Sequence, residues 1–233
     1  MKKLMWAISI FSLLFTATAL QFMPDSVPMH YDLAGNIDRW GSKYENLIFP
    51  RNYSSPVSAL ASIYHALRKK ATKTSIEKEH AESLSNAKVL KIVGISMAAM
   101  FMVIQSYSLY SAYVEARSNA TQTYIDTRKI SCILIGVMLI VLGNYMPKTK
   151  KDHIAGVKVS QSMYNDTTWM KNNRFDAVAM MVAGLLTIIT TIFVNSTIAM
   201  VLLLAYILIA TAIILIYSHN VYKAELSKNN TSQ

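Results

Sequence analysis

Four apolar runs, at 92–114, 130–146, 177–194 and 197–217, each approach the length a helix needs to cross a hydrocarbon core roughly 30 Å thick. A chain built around such runs reads as an all-α, polytopic membrane helix bundle. The composition agrees. Hydrophobic residues make up 53% of the 233 positions and charged residues only 15%, too apolar and too segmented for an ordinary soluble domain. The net charge of +10 would point to nucleic acid in a soluble protein. Here the Lys and Arg residues cluster between apolar runs, with no basic stripe or recognition helix, so direct nucleic-acid binding is not expected. Cys132 is the single cysteine and lies within an apolar run, which leaves no disulfide framework and fits a small buried apolar residue.

Two further segments are weaker. Residues 4–22 follow Lys2 and Lys3 and are long enough to span; Ala17-Thr18-Ala19 resembles a signal-peptide cleavage site, but the apolar run exceeds a usual signal core, so a retained helix is expected. Residues 47–67 contain Pro50, Arg51, Pro56 and several serines and would fail a strict hydropathy threshold. Charge placement argues for this second span. With six helices and both termini cytoplasmic, the inner segments collect Lys2, Lys3, Arg68, Lys69, Lys70, Lys73, Lys78, Lys88, Lys91, Lys148, Lys150, Lys151, Lys158, Lys171, Arg174, Lys223 and Lys228. The outer segments collect only Arg39, Lys43, Arg117, Arg128 and Lys129, as the positive-inside bias requires. Without the span at 47–67, the basic loop at 68–91 would share a side with the loop at 23–45, and the later loops would alternate from the wrong side. The expected organisation is a helix pair over 1–68 carrying an outer loop at 23–45, a basic cytoplasmic loop at 69–91 and a central helix pair at 92–146. A second basic cytoplasmic loop follows at 147–176, then a tight helix hairpin at 177–218 and a polar cytoplasmic tail at 219–233.

The outer loop holds the densest pattern: Pro24-Asp25, Pro28, His30-Tyr31-Asp32, Gly35, then Asp38-Arg39-Trp40-Gly41-Ser42-Lys43. The prolines fix the backbone at the membrane exit, Gly35 permits a positive φ between Asp32 and Asp38, and Tyr31 and Trp40 suit the headgroup zone. Such a loop could cap the bundle or present a recognition surface. His30, Asp32 and Asp38, with Asp25 in reserve, could in principle ligate a divalent ion, but no ligand spacing fixes a geometry and no metal is expected; His30 could instead respond to pH. A second block follows the 130–146 run: Gly143-Asn144, Pro147-Lys148, Lys150, Gly156-Val157-Lys158, Trp169 and Arg174. Its lysines could bind anionic lipid or an acidic partner. Trp169 reads as an interfacial anchor, and Asp176 as a residue at the edge of the fifth helix. Gly94, Gly136, Gly143 and Gly184 suit close helix packing.

The two blocks, in this order and spacing, resemble the paired signatures of the SdpI-type immunity protein family of bacteria. The first block maps onto residues 24–43 and the second onto 143–174. The resemblance implies a multi-pass protein of the bacterial cytoplasmic membrane that protects against a secreted, membrane-active peptide toxin and can sequester a small cytoplasmic repressor. It implies partner-binding roles for Pro24, Asp25, Pro28, His30, Asp32, Gly35, Asp38, Arg39, Trp40 and Lys43 outside. Inside, it implies partner- or lipid-binding roles for Asn144, Pro147, Lys148, Lys150, Gly156, Lys158, Trp169 and Arg174. The second block departs from the family pattern: a usual Gly-Ile-Arg-Thr-Pro-Trp-Thr-Leu run stands here as residues 156–163, and a usual Thr-His as Asn172-Asn173. Lys158 lacks the planar bidentate fork of the arginine it replaces.

No nucleophile elbow, phosphate loop, metalloprotease helix or paired intramembrane carboxylate is visible, so neither catalysis nor a cofactor is expected. The absence of an evident buried Asp/Glu/His relay also disfavours transport of a polar substrate. A small transporter or ion-binding membrane protein, and a non-catalytic membrane scaffold, are the alternative readings.

Overall fold

The computed structural model describes residues 2–151 and 160–231. Six α-helices account for most of them: α1 (Lys2–Phe22), α2 (Ile48–Lys73), α3 (Glu77–Arg117), α4 (Thr127–Tyr145), α5 (Asp166–Phe193) and α6 (Ser196–Thr231). The expectation of an all-α polytopic bundle holds, with one small addition. Between α1 and α2 the chain forms an antiparallel hairpin of β1 (Ser26–Tyr31) and β2 (Ile37–Ser42), followed by a 3-10 turn, Lys43–Leu47.

The regions spanning 77–117, 127–148, 166–193 and 196–228 are long and apolar enough to cross a membrane, while α1 carries a shorter apolar stretch, Trp6–Phe22. Their outward residues suit lipid: Leu14, Leu208, Ile216 and Phe193 are more than half exposed.

The doubtful segment at 47–67 is helical, Leu47 closing the 3-10 turn and residues 48–67 lying in α2. Pro50 falls in the first turn, where backbone N–H groups have no intrahelical acceptor in any case, so only Pro56 removes a ladder bond. Packing offsets that loss. Val57 and Ala61 of α2 close against Ala98 of α3, with Ile8 of α1 alongside.

The helices run further than hydropathy indicates. Residues 77–91, expected as loop, form the first turns of α3, so the connection from α2 is only Thr74 to Ile76. Glu77 and Glu79 in the first turn of α3 complement the helix dipole, and Thr74 Oγ1 reaches Glu79 Oε2 at 2.9 Å. The tail expected after 218 continues α6 to Thr231. α5 starts at Asp166 behind an Asn165 cap that accepts from Thr168 N at 2.7 Å, well before the apolar run at 177.

α4 and α5 approach each other closely at their glycines. A Cβ at Gly136 would lie 2.9 Å from the Gly184 carbonyl, and one at Gly143 would lie 2.6 Å from the Ala177 carbonyl. In hydrocarbon, where lipid tails are as apolar as Leu, such backbone proximity supplies dispersion contact that larger side chains would prevent. The expectation of glycine-mediated packing is met at these two positions and at Gly184.

Candidate functional site

The hairpin sits on one end of the bundle and is built into it. Val27 is fully buried against Leu20, Met23, Leu109, Ala112 and Ala116, where α1 and α3 meet. Alternation then turns neighbouring positions outward, but the register shifts on either side of His30, so Pro28 stays buried. At the tip, the Asp32 carboxylate accepts from Asn36 N at 2.8 Å and Asn36 Nδ2 at 2.7 Å, and Gly35 adopts φ +90°. These bonds, the Asn36 side-chain donor first, hold the Asp32 carboxyl below the ordinary carboxylate range.

The tip is stitched to the α3–α4 connection. Ile37 N donates to Thr121 O and Thr123 N to Gly35 O, both at 2.9 Å, while Gln122 Nε2 reaches Asn36 Oδ1 at 2.9 Å. Arg128 donates to the Asp32 and Leu33 carbonyls at 3.1 and 3.3 Å, and Thr197, at the start of α6, donates to Leu33 O at 2.7 Å. All three connections expected on the outer side therefore meet at one end.

Beneath them lies a group that the sequence reading left out. Glu115 is fully buried near the end of α3. Its Oε2 accepts from the Tyr31 hydroxyl at 2.6 Å, and its Oε1 lies 2.7 and 2.8 Å from the Ser111 and Thr123 hydroxyls and 3.0 Å from Tyr124 N. Tyr31 is thus committed inward, not to a headgroup zone. Burial, then the Glu115 carboxylate, raises its phenol above the ordinary value and keeps it a donor. Glu115 stands one residue past the apolar run ending at 114, and Ser111 at i−4 on an extended helix was the available signal.

The predicted outer residues divide into two sets. Pro28, Asp32, Gly35 and Lys43 are structural. Lys43 Nζ is bound to Met23 O at 3.1 Å and Asp25 at 3.0 Å, leaving Asp25 itself nearly fully exposed. Pro24 is half-buried at the end of α1. His30, Asp38, Arg39 and Trp40 form the exposed face. His30 Nδ1 and Asp38 Oδ1 are 2.6 Å apart, and Arg39 pairs with Glu45 at 3.0 Å. Glu45 also accepts from Ser42 N at 3.1 Å, and a Cβ at Gly41 would collide with its carboxylate. With Asp32 committed to Asn36 and His30 to Asp38, these three do not converge on one ion position; among the described residues no group of three or more His, Cys, Asp or Glu is arranged to hold a metal. Beside this face a cavity of about 310 Å³ opens between the hairpin, α2 and α3, lined by Met29, Arg39, Glu45, Asn46, Phe49 and Gln105.

The opposite end gathers the second block. Asn86 of α3 exchanges two hydrogen bonds with Lys150, accepting from its N at 2.8 Å and donating to its O at 3.2 Å, and Ser85 donates to Lys148 O at 2.8 Å. Lys148 Nζ lies 4.2 Å from the Tyr145 ring centroid. Trp169 is buried and donates to Thr149 O at 3.2 Å, so it is a core residue and not an interfacial anchor. Asn172 and Asn173 are buried too, tied to Ser218 at 3.2 Å and Thr149 at 3.1 Å. Asn144, Pro147, Lys148, Lys150 and Arg174 are exposed. Gly156 and Lys158 lie outside the described residues.

The fold and site define a polytopic membrane bundle closed at one end by a hydrogen-bonded β-hairpin cap. A family described as a domain of unknown function, DUF1648, matches residues 7–51, which include the cap, and the SdpI/YfhL protein family matches residues 148–218. The chain is 26% identical over 89 residues to the immunity protein SdpI of Bacillus subtilis (strain 168), covering 38% of this chain and 42% of that protein. The alignment thus spans less than half of that relative's length. No solved structure matches. Together these matches support the SdpI-type resemblance.

Two outcomes follow from the geometry. Glu115→Ala should destabilise the bundle by about 1–3 kcal/mol, Tyr31→Phe by less, and the double variant by less than the two together, measured by unfolding in mixed micelles. Asp32 should make the tip pH-dependent. Because its carboxyl is held low, its contribution is complete above the ordinary carboxylate range and lost as pH falls through the lowered value. Hydrogen exchange at the Asn36 amide should accelerate over that acidic interval relative to the intrinsic rate, and Asp32→Ala should abolish the transition.

Proposed function

We propose that this chain is a bacterial cytoplasmic-membrane protein that confers immunity or tolerance to a secreted, membrane-active peptide toxin. The outer hairpin is its recognition surface, and the opposite end is a docking surface for a small cytoplasmic repressor or for anionic lipid. The observation that carries this reading is the conjunction of the SdpI/YfhL match and the name of the Bacillus subtilis relative with a rigid hairpin whose His30, Asp38, Arg39 and Trp40 are exposed. A loop needed only as a lid would not require those side chains to face outward. The adjoining cavity, with Phe49 and Met29 beside Arg39 and Gln105, has the mixed polarity that an amphipathic peptide at a membrane surface would meet.

The proposed topology has six spans and both termini in the cytoplasm. The two ends differ in charge as the positive-inside bias requires, and the partly polar α2 completes the alternation. The alternative of an ion-binding or transporting protein gains one specific point, the buried Asp176 of α5. It predicts flux that depends on that residue and not on the hairpin face.

Two experiments test the proposal. Expression in a toxin-sensitive bacterium should preserve survival and membrane potential against secreted peptide from the source organism. Alanine at His30, Asp38, Arg39 and Trp40 together should remove that protection at unchanged membrane abundance; absence of protection by correctly inserted wild type would refute the immunity reading. For orientation, cysteine at Ser42 should react with an impermeant thiol reagent in intact cells. Cysteine at Ser75 should react only once the membrane is opened.

A further inference from the structure

Among the described residues four buried side-chain atoms lack a hydrogen-bond partner, and two of them stand one turn apart on α5: Asn172 Oδ1 and Asp176 Oδ1. Both residues are almost wholly buried, at 1% and 2% exposure. Asp176 was expected at the edge of the fifth helix, but α5 begins ten residues earlier, which carries it inside.

The donors nearby are committed elsewhere. Asn172 Nδ2 bonds Ser218 Oγ, and Asn173 Nδ2 bonds Thr149 Oγ1. α5 packs against α4, the 3-10 turn Met146–Lys148, and α6. Their ionisable groups at this end are Tyr145, Lys148, Tyr217, His219, Tyr222, Lys223, Glu225 and Lys228; Tyr222 packs edge-on against Tyr164 with centroids 5.2 Å apart, and Lys228 lies 3.7 Å from Glu225. Lys148 lies over the Tyr145 ring, Tyr217 stacks on Phe175 with centroids 3.9 Å apart, His219 faces Gln161 at 3.3 Å, and Lys223 is exposed. Glu225 holds Lys171 at 2.8 Å, and Arg174 is exposed. None forms an ion pair with Asp176.

Two orphaned acceptors and no donor make a costly arrangement in a dry interior, and an unpaired carboxylate there costs more than a neutral group. A single hydrogen on Asp176 resolves both deficits. We propose that Asp176 is a proton-binding site: it occupies the bundle as the neutral acid, and its O–H donates to Asn172 Oδ1. The proton comes from water and returns to it, with no other reactant. Its release leaves an unpaired anion one turn from the Asn172–Ser218 tie, so proton occupancy and α5–α6 packing at this end are linked. The inference does not use the immunity reading and stands or falls separately.

The test is infrared spectroscopy of the full chain in lipid vesicles, with aspartate labelled by carbon-13 at the side-chain carboxyl. At neutral pH the wild type should show the C=O stretch of a protonated aspartic acid. Asp176→Asn should lose that band, and Asn172→Leu should shift it by removing its acceptor. The melting temperature of the wild type should fall as pH is raised, and Asp176→Asn, whose amide can donate in place of the acid, should lack that fall. A wild type with no protonated aspartate band at neutral pH overturns the proposal. So does a band unchanged by both substitutions. Stabilisation by sodium over choline, without the band, would overturn it in favour of a metal cation between the two oxygens.

Discussion

A carboxylate buried at the end of a membrane-spanning helix is tolerable only when its charge is met by donors, and the hairpin half of this protein is organised around meeting it. Glu115 receives the Tyr31 hydroxyl from the hairpin, lies within hydrogen-bonding distance of hydroxyls on its own helix and the following loop, and accepts the Tyr124 backbone N–H. Removing one donor leaves charge partly uncompensated in a dry site, where the desolvation cost exceeds what the lost bond contributed. The β-hairpin thereby becomes a fixture. A two-stranded hairpin alone is marginal in water; this one is held from below by Val27 in the α1–α3 seam, from the side by Arg128 and the 121–123 backbone, and from the far helix by Thr197.

That anchoring decides which residues remain available to a partner. Lys43, Asp32 and Gly35 belong to the motif as strongly as His30 or Trp40, yet their polar atoms or backbone are consumed in holding the hairpin's shape. The exposed pairs His30–Asp38 and Arg39–Glu45 are screened by water and contribute roughly 0–1 kcal/mol each to folding, so rearranging them to engage a ligand would cost little. A rigid backbone carrying weakly committed charged side chains loses little entropy on binding. Stability and recognition are thus assigned to different residues within one 20-residue stretch.

Helix number, the outer-loop motif and the glycine contacts between α4 and α5 were legible in the sequence because each rests on a local rule: apolar run length, turn chemistry, small residues in a spanning segment. Even the polar α2 was recoverable, through charge alternation and not hydropathy. What escaped were the helix ends. Hydropathy marks where a helix leaves hydrocarbon, not where its hydrogen-bond ladder stops, so α3 was cut short at both ends and α5 and α6 at one. Trp169 and Asp176 were consequently placed at an interface and an edge when they are buried, and the buried Glu115 and Asn86 were passed over. The β-hairpin was read as turns because its pairing shifts register around His30 and its strands carry Pro28 and Gly41, both poor strand formers.

The two ends of the bundle handle buried polarity in opposite ways, and the difference bears on which end can change state. At the hairpin end the buried acid is surrounded by several donors. At the opposite end Asp176 Oδ1 has no donor, and Asn172 Oδ1 one turn away is equally without one, a deficit the proposed neutral acid meets. The Asn86–Lys150 exchange and the Trp169–Thr149 bond fasten α3 and α5 to the segment after α4, while the α5–α6 contact beside Asp176 combines the Asn172–Ser218 bond with the Phe175–Tyr217 stack and the Lys171–Glu225 pair. A helix pair whose buried hydrogen bond lies one turn from the proposed proton site is where a change of proton occupancy would be felt. The hairpin end, with Glu115 saturated, is the reference against which such a shift would occur.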